Sequence, residues 1–354
     1  MPIARNAPMR WLLISGTAGA LFVAGGGVAS ASPVGKWPPA QNDGPSGGID
    51  EGGLFAGAGG QAITWDESRN GSGSSTGPLR SASRDWTPPP CWYAPTWNPE
   101  QLRELAEDRW DPSGHTGHAA SALGWMWRHY DGGDPYEDFN SEEAGNGMWW
   151  GAVENPSEPD ILERMSCSNI PFWVEAGETP DVERALSPLI LAELAYERLR
   201  VPETTITLSP EREDRQVVNL PTWIWADAGD FSPVAVTASL DGWGMWATTT
   251  ARPVALTIAP GTADADLFPG SGRCPINEDG SIGTPYATGR SGDDPPCGLV
   301  YRRATHHVDS YPLTASITWE VSWEGSGGAG DTLPAAVFDT TRDIEVMEVQ
   351  AVVR

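Results

Sequence analysis

The residues whose type and spacing come nearest to a metal site are His115 and His118, in Asp111-Pro112-Ser113-Gly114-His115-Thr116-Gly117-His118. Two imidazoles three apart on a helix can converge on one ion, but a closed site needs two more ligands at defined geometry. Neither the glutamate of an H-E-x-x-H motif nor a paired cysteine is present, and His129 lies eleven residues on. The stretch reads as a polar loop that opens a helix, and no metal ligand is assigned. His306 and His307, with Asp309, are a weaker set, because neighbouring side chains on a strand face opposite ways. The acids Asp131, Asp134, Glu137 and Asp138, and separately Asn277-Glu278-Asp279-Gly280-Ser281, gather oxygen ligands around glycine turns. Neither follows the spacing of an EF-hand loop, so both read as solvated turns.

Motifs for hydrolysis and dinucleotide binding fail on context. Gly73-Ser74-Ser75-Thr76-Gly77 matches G-x-S-x-G, yet a nucleophile elbow needs a strand before it and a helix after it. Here the flanks are Gly, Ser and Pro. Glu142 and Glu143 beside Trp149 and Trp150 suggest glycosidase carboxylates only by adjacency, which says nothing of the separation such acids need. Gly57-Ala58-Gly59-Gly60 lacks the strand and helix of a dinucleotide fingerprint. No catalytic residue and no cofactor is assigned.

Tryptophan is the one compositional excess that points to binding, at 18 residues. Exposed indoles stack on flat ligands and anchor interfaces. Trp319 and Trp323 fall on one face of an alternating run and read as core. Trp125 with Trp127, Trp149 with Trp150, and Trp243 with Trp246 do not fit a single periodic face. These three pairs are the candidate ligand-binding residues, with packing as the competing reading.

The elements that must hold them begin after an export signal. Arg5 and Arg10 precede an apolar run from Trp11 to Val28 that ends in Ala29-Ser30-Ala31, the order of a secretory signal peptide over residues 1–31. Cleavage after Ala31 leaves no transmembrane segment. In the oxidising compartment that follows, Cys91, Cys167, Cys274 and Cys297 are expected as two disulfides. The pairs Cys91–Cys167 and Cys274–Cys297 close the shorter loops. A net charge of −26, with Lys36 the only lysine, excludes nucleic acid and disfavours anionic membrane surfaces, because both need phosphates neutralised.

Residues 32–84, dense in Gly, Ser and Pro, are expected to form a disordered tether, in which Leu54-Phe55 and Ile63-Thr64-Trp65 stand out as isolated apolar pieces. From 85 to 210 a Trp-rich, mixed helical region is expected. Asn98-Pro99 with Gln101 caps one helix, Ser187-Pro188 opens a second that runs to about Arg200, and Ala119–Tyr130 supplies a third despite Gly124. From 211 to 354 the period changes to two. Val234, Val236, Ala238 and Leu240 alternate with small or polar residues, as do Val254, Leu256 and Ile258. Ala315, Ile317, Trp319, Val321 and Trp323 do the same. Short strands separated by Gly, Pro and Asp turns predict an antiparallel, immunoglobulin-like β-sandwich, so the fold class is α+β.

Asp134-Pro135-Tyr136-Glu137-Asp138-Phe139-Asn140, Gly147-Met148-Trp149-Trp150, Leu194-Ala195-Tyr196-Glu197-Arg198, Val218-Asn219-Leu220-Pro221-Thr222-Trp223 and Cys297-Gly298-Leu299-Val300-Tyr301 resemble a family of exported actinobacterial proteins. That resemblance spans about residues 85–354 and implies an envelope protein without specifying any chemistry. The C-terminal part also resembles a divergent PKD domain. Leu256–Gly261 stands for its first strand and turn, Leu299-Val300-Tyr301 for its H-x-Y segment and Tyr311–Trp319 for its closing strand, while Ala259-Pro260-Gly261 replaces the G-D-G turn. The function expected is a secreted, non-enzymatic cell-envelope scaffold or interaction module whose partner is an envelope protein or glycan. A carbohydrate-binding protein using the Trp pairs, and a hydrolase with a site between the two regions, are the alternatives.

Overall fold

A computed structural model describes residues 63–72, 76–110, 115–210, 215–227 and 231–349. The first part of this chain runs β1 (Ile63–Arg69), β2 (Thr76–Pro78), β3 (Cys91–Trp97), α1 (Pro99–Arg109), α2 (His118–Tyr130), β4 (Gly147–Glu154), α3 (Ile161–Arg164), β5 (Phe172–Glu175) and α4 (Pro188–Arg198). Strands then dominate: β6 (Arg200–Pro202), β7 (Thr207–Ser209), β8 (Arg215–Val217), β9 (Thr222–Ala226), β10 (Val234–Leu240) and β11 (Met245–Ala259). They continue as β12 (Ala265–Phe268), β13 (Arg273–Pro275), β14 (Ile282–Gly283), β15 (Gly298–Tyr301), β16 (Tyr311–Gly325) and β17 (Gly330–Met347).

The largest sheet has the order β1-β10-β11-β16-β17-β8, with β13 also on β11, and it is antiparallel except where β8 joins β17. A second sheet runs β12-β15-β9-β14 with β7 on β9, and a third is β3-β4-β5. The alternation read from Ala315 to Val321 is met, since Ala315, Ile317, Trp319 and Val321 are buried while Glu320 and Ser322 are exposed. A bulge between Pro253 and Ala255 lets β11 follow β16 without turning its apolar side outward. Pro253 pairs with Trp319 before the bulge and Leu256 with Ile317 after it, all four buried.

Helix α4 covers part of that apolar face. The Ser187 hydroxyl accepts from the Ile190 amide at 3.3 Å, Pro188 occupies the first turn, and Leu191, Ala192, Leu194 and Ala195 are buried. Thr249 on β11, itself fully buried, donates its hydroxyl to the Ala192 carbonyl at 2.8 Å, so the polar atom it places beneath the helix is satisfied. Residues of the two larger sheets and α4 share one apolar core, and Tyr301 of β15 stacks on Tyr311 of β16 at 5.6 Å.

Two expected boundaries change. The tether placed over residues 32–84 stops short of β1, because Ile63 and Trp65 turn inward and the strand pairs with β10 from Ile63↔Leu240 to Arg69↔Ala235. Three alternating residues were too few to reveal this strand among Gly and Ser. The division at residue 210 does not separate two cores, since α4 and Leu79 pack with the later strands. The region from 85 to 210 holds the three expected helices and also the antiparallel β3-β4-β5 sheet, which the helical reading missed. The signal peptide at 1–31 and the remainder of the expected tether lie outside the described residues.

Cys91 is bonded to Cys167 and Cys274 to Cys297, with Cα atoms 6.0 and 5.6 Å apart. The second bond joins β13, which belongs to the large sheet, to the residue before β15, which belongs to the second. By loop entropy it stabilises by about 3 kcal/mol. Replacing both Cys274 and Cys297 with Ser is expected to lower the unfolding free energy in denaturant by about that amount. A loss under about 1 kcal/mol means that the bridge adds nothing the core does not already enforce.

Candidate functional site

The residues from Trp97 to Trp173 build an aromatic lobe with its own small core of Leu102, Ala106, Trp110, Tyr130, Phe139 and Trp149. Helix α1 is set by a reciprocal cap, in which Asn98 Oδ1 accepts from the Gln101 amide at 2.9 Å and Gln101 Oε1 accepts from the Asn98 amide at 2.8 Å. Strand β4 forms the wall of the lobe. Period-two alternation sends Trp149 into the aromatic core and Trp150 into the main core, both fully buried. The glycines that bracket this pair admit other indoles against the backbone. A Cβ on Gly147 would lie 2.7 Å from the Trp173 ring and one on Gly151 2.4 Å from the Trp97 ring.

Between α2 and β4 the chain makes a left-handed turn without glycine, with φ of 46° at Asp138, 54° at Phe139 and 58° at Asn140. Each L-residue held there costs about 1–2 kcal/mol, so the surroundings must over-determine it. They do so from three sides. The Phe139 ring is fully buried, with Trp127 edge-on at 5.6 Å. Trp149 Nε1 donates to the Phe139 carbonyl at 3.0 Å. Ser141 and then the Arg103 guanidinium bond the Asp138 carboxylate and hold its pKa below the usual range.

Helix α2 is the exposed wall. Leu123, Trp127 and Tyr130 turn toward the aromatic core, while His118, Ser121, Ala122, Trp125, Arg128 and His129 share the opposite stripe. Trp125 is 47% exposed. Its ring stacks on His129 at 5.1 Å and 25°. His129 is in turn braced edge-on by Tyr136 at 5.4 Å, and Tyr136 by Trp149 at 4.6 Å. An aromatic chain therefore runs from the buried wall to the surface indole. Desolvation holds the His129 pKa below its ordinary value, against the opposing pull of Asp134.

The three Trp pairs do not behave as pairs. Trp149 and Trp150 are buried and present no surface, a correction to their candidacy that follows from β4 being covered on both sides. Trp127 is half-buried and donates Nε1 to the Trp110 carbonyl at 2.9 Å. Trp243, in the β10–β11 turn, lies edge-on against Trp150 at 5.3 Å and links that hairpin to β4. Trp246 is exposed on the outer side of β11, opposite Ser239. Of the six, Trp125 and Trp246 remain as surface indoles.

Other sequence candidates occupy ordinary positions. His115 and His118 are exposed, and His306 and His307 meet edge to face at 4.3 Å. Ser281 donates its amide and hydroxyl to Asp279, and Asn277 Nδ2 donates to Ser281 and Gly283, so this turn closes on itself. Glu142 and Glu143 are exposed. Residues 73–75 and 111–114, with the elbow-like serine and half of the histidine motif, lie outside the described residues, as does Gly57–Gly60. Among the described residues, no three His, Cys, Asp or Glu side chains gather as a metal site would need. No helix among them is long and apolar enough to cross a membrane.

Sequence reading assigns no role to Glu193 and Glu197, whose only signal is a pair of acids one turn apart on the largely apolar α4. Both are half-buried, and desolvation raises both pKa values. Trp86 bonds Glu193, while Asn155 Nδ2 lies 3.3 and 3.2 Å from the two Glu197 oxygens.

Two outcomes test this geometry. Gly151→Ala is expected to cost about 1–3 kcal/mol by forcing Trp97 outward, read as a lower denaturation midpoint with an unchanged slope. For Glu193, the raised folded pKa means that the native state binds the proton more tightly than the unfolded chain. Its contribution is intact below the unfolded pKa and is lost as pH rises through the folded one. Glu193→Gln is therefore expected to raise Tm above wild type at about pH 7 and to match it near pH 4. A pH-independent difference refutes that assignment. No family model, curated protein or solved structure matches this chain.

Proposed function

We propose that this chain is an exported, non-enzymatic binding module of the actinobacterial cell envelope, in which an immunoglobulin-like, PKD-like sandwich supports an aromatic lobe that meets the partner. One observation carries the reading: Trp125 stands half-exposed and stacks on His129, which Tyr136 braces edge-on, as Trp149 on a buried strand braces Tyr136. An indole fixed in this way gives up little conformational entropy on contact, which is the property of an anchor residue.

Three further features support it. The leader-like order of residues 1–31 favours export. Two formed disulfides are compatible with an oxidising compartment. The acid excess suits a chain that remains soluble outside the cell.

The test is sedimentation of the mature chain, disulfides intact, with separated wall and membrane fractions of a high-GC Gram-positive bacterium. Retention by one fraction, reduced in Trp125→Ala, is the expected result. A protein that stays in the supernatant with both fractions ends the proposal.

A further inference from the structure

Within the binding-module reading, on which this inference rests, we infer that the outward stripe of α2 binds a pyranose ring of a neutral glycan, stacked on the half-exposed Trp125 indole. The stripe has the composition of a sugar subsite. One flat apolar surface stands at its centre, and hydrogen-bonding side chains stand around it. His118 and Ser121 lie two turns and one turn before Trp125, and Arg128 lies one turn after it, all three exposed. A pyranose has matching faces, with axial C–H groups to lay on an indole and equatorial hydroxyls to reach the rim.

The same arrangement argues against a protein partner docked on its apolar surface. A stable protein interface buries about 1,200–2,000 Å² and centres on a contiguous apolar patch. On α2 Leu123, Met126 and Trp127 pack against the lobe core, so Trp125 is the one large apolar side chain on the outward stripe of this helix. Charge selects within the glycans. The molecule carries −26 overall, which repels polyanionic polymers, whereas a neutral ring meets no such barrier. The α2 sequence His-Ala-Ala-Ser-Ala-Leu-Gly-Trp-Met-Trp-Arg-His-Tyr contains no acid, and Asp134, in the turn after it, is a carboxylate that acts on His129. Trp246 serves as the internal control, since it is also exposed, at 38%, but lies on the large sheet.

The experiment titrates the mature, disulfide-bonded chain with cellohexaose, chitohexaose and mannohexaose, read by tryptophan emission and calorimetry. At least one sugar is expected to saturate the signal, with affinity unchanged between low and high sodium chloride because the ligand is uncharged. Trp125→Ala is expected to weaken that binding about tenfold or more, Trp125→Phe to retain part of it, and Trp246→Ala to leave it unchanged. Matching circular dichroism and Tm for the variants show that folding is not the cause. No saturable signal from any of the three sugars, or a Trp125→Ala titration that overlays wild type, overturns the inference. Sedimentation separates this failure from that of the broader reading. If wild type and Trp125→Ala sediment equally with the wall while no sugar binds, the stacking site falls and the binding module stands. If a sugar binds but neither fraction retains the chain, the envelope reading falls and the stacking site stands.

Discussion

The structure depends on a two-residue alternation in one strand. Trp149 and Trp150 are consecutive, so β4 must point them to opposite sides, and each side is the interior of a different core. Full burial of two neighbouring indoles removes a large apolar area from water on both faces, and the strand cannot slip by one residue without exchanging them. Gly147 and Gly151 are the local cost of this arrangement, since each gives up a side chain so that a further indole can lie on the backbone. The β10–β11 turn reaches the same strand from the far side through Trp243. One strand thus sets the position of the aromatic lobe against the main core.

The left-handed turn at Asp138–Asn140 follows from the same constraint. Its strain persists because a buried ring, an indole N–H and a guanidinium all require that path. Fixing the turn places Tyr136 between Trp149 and His129, and His129 then orients Trp125. Precision at the surface is inherited from packing underneath. Placing the exposed ring on a regular helix rather than on a loop also limits how far it can move.

Much of the secondary structure was readable because its causes are local. The cap at Asn98 with Gln101, the Ser187-Pro188 start of α4 and the alternation along Tyr311–Gly325 are each set by neighbours in the chain. The cysteine pairing followed the shorter loops. What escaped notice depends on distant partners. Ile63-Thr64-Trp65 looks like a fragment of linker until β10 supplies its hydrogen bonds. Asp138-Phe139-Asn140 contains no glycine to announce positive φ. The candidate site was half legible: an excess of Trp was evident, but which indole reaches water depends on β4 being covered on both faces. Glu193 and Glu197 were hidden for the same reason, because their raised pKa values come from burial that only tertiary packing provides.

The bond between Cys274 and Cys297 also governs what happens when the chain is cut. The segment it encloses has its most exposed stretch at Ala287–Asp294, within which the Arg290 guanidinium alone turns back, 4.6 Å over the Trp223 ring. A protease that severs this stretch opens a loop without releasing a fragment, since β13 and the residue before β15 stay covalently joined. Nicked molecules keep both sheets joined and migrate as one species until a reductant reaches the bridge. Within the segment that the bridge encloses, the most exposed stretch is thus one whose cleavage leaves the two sheets joined.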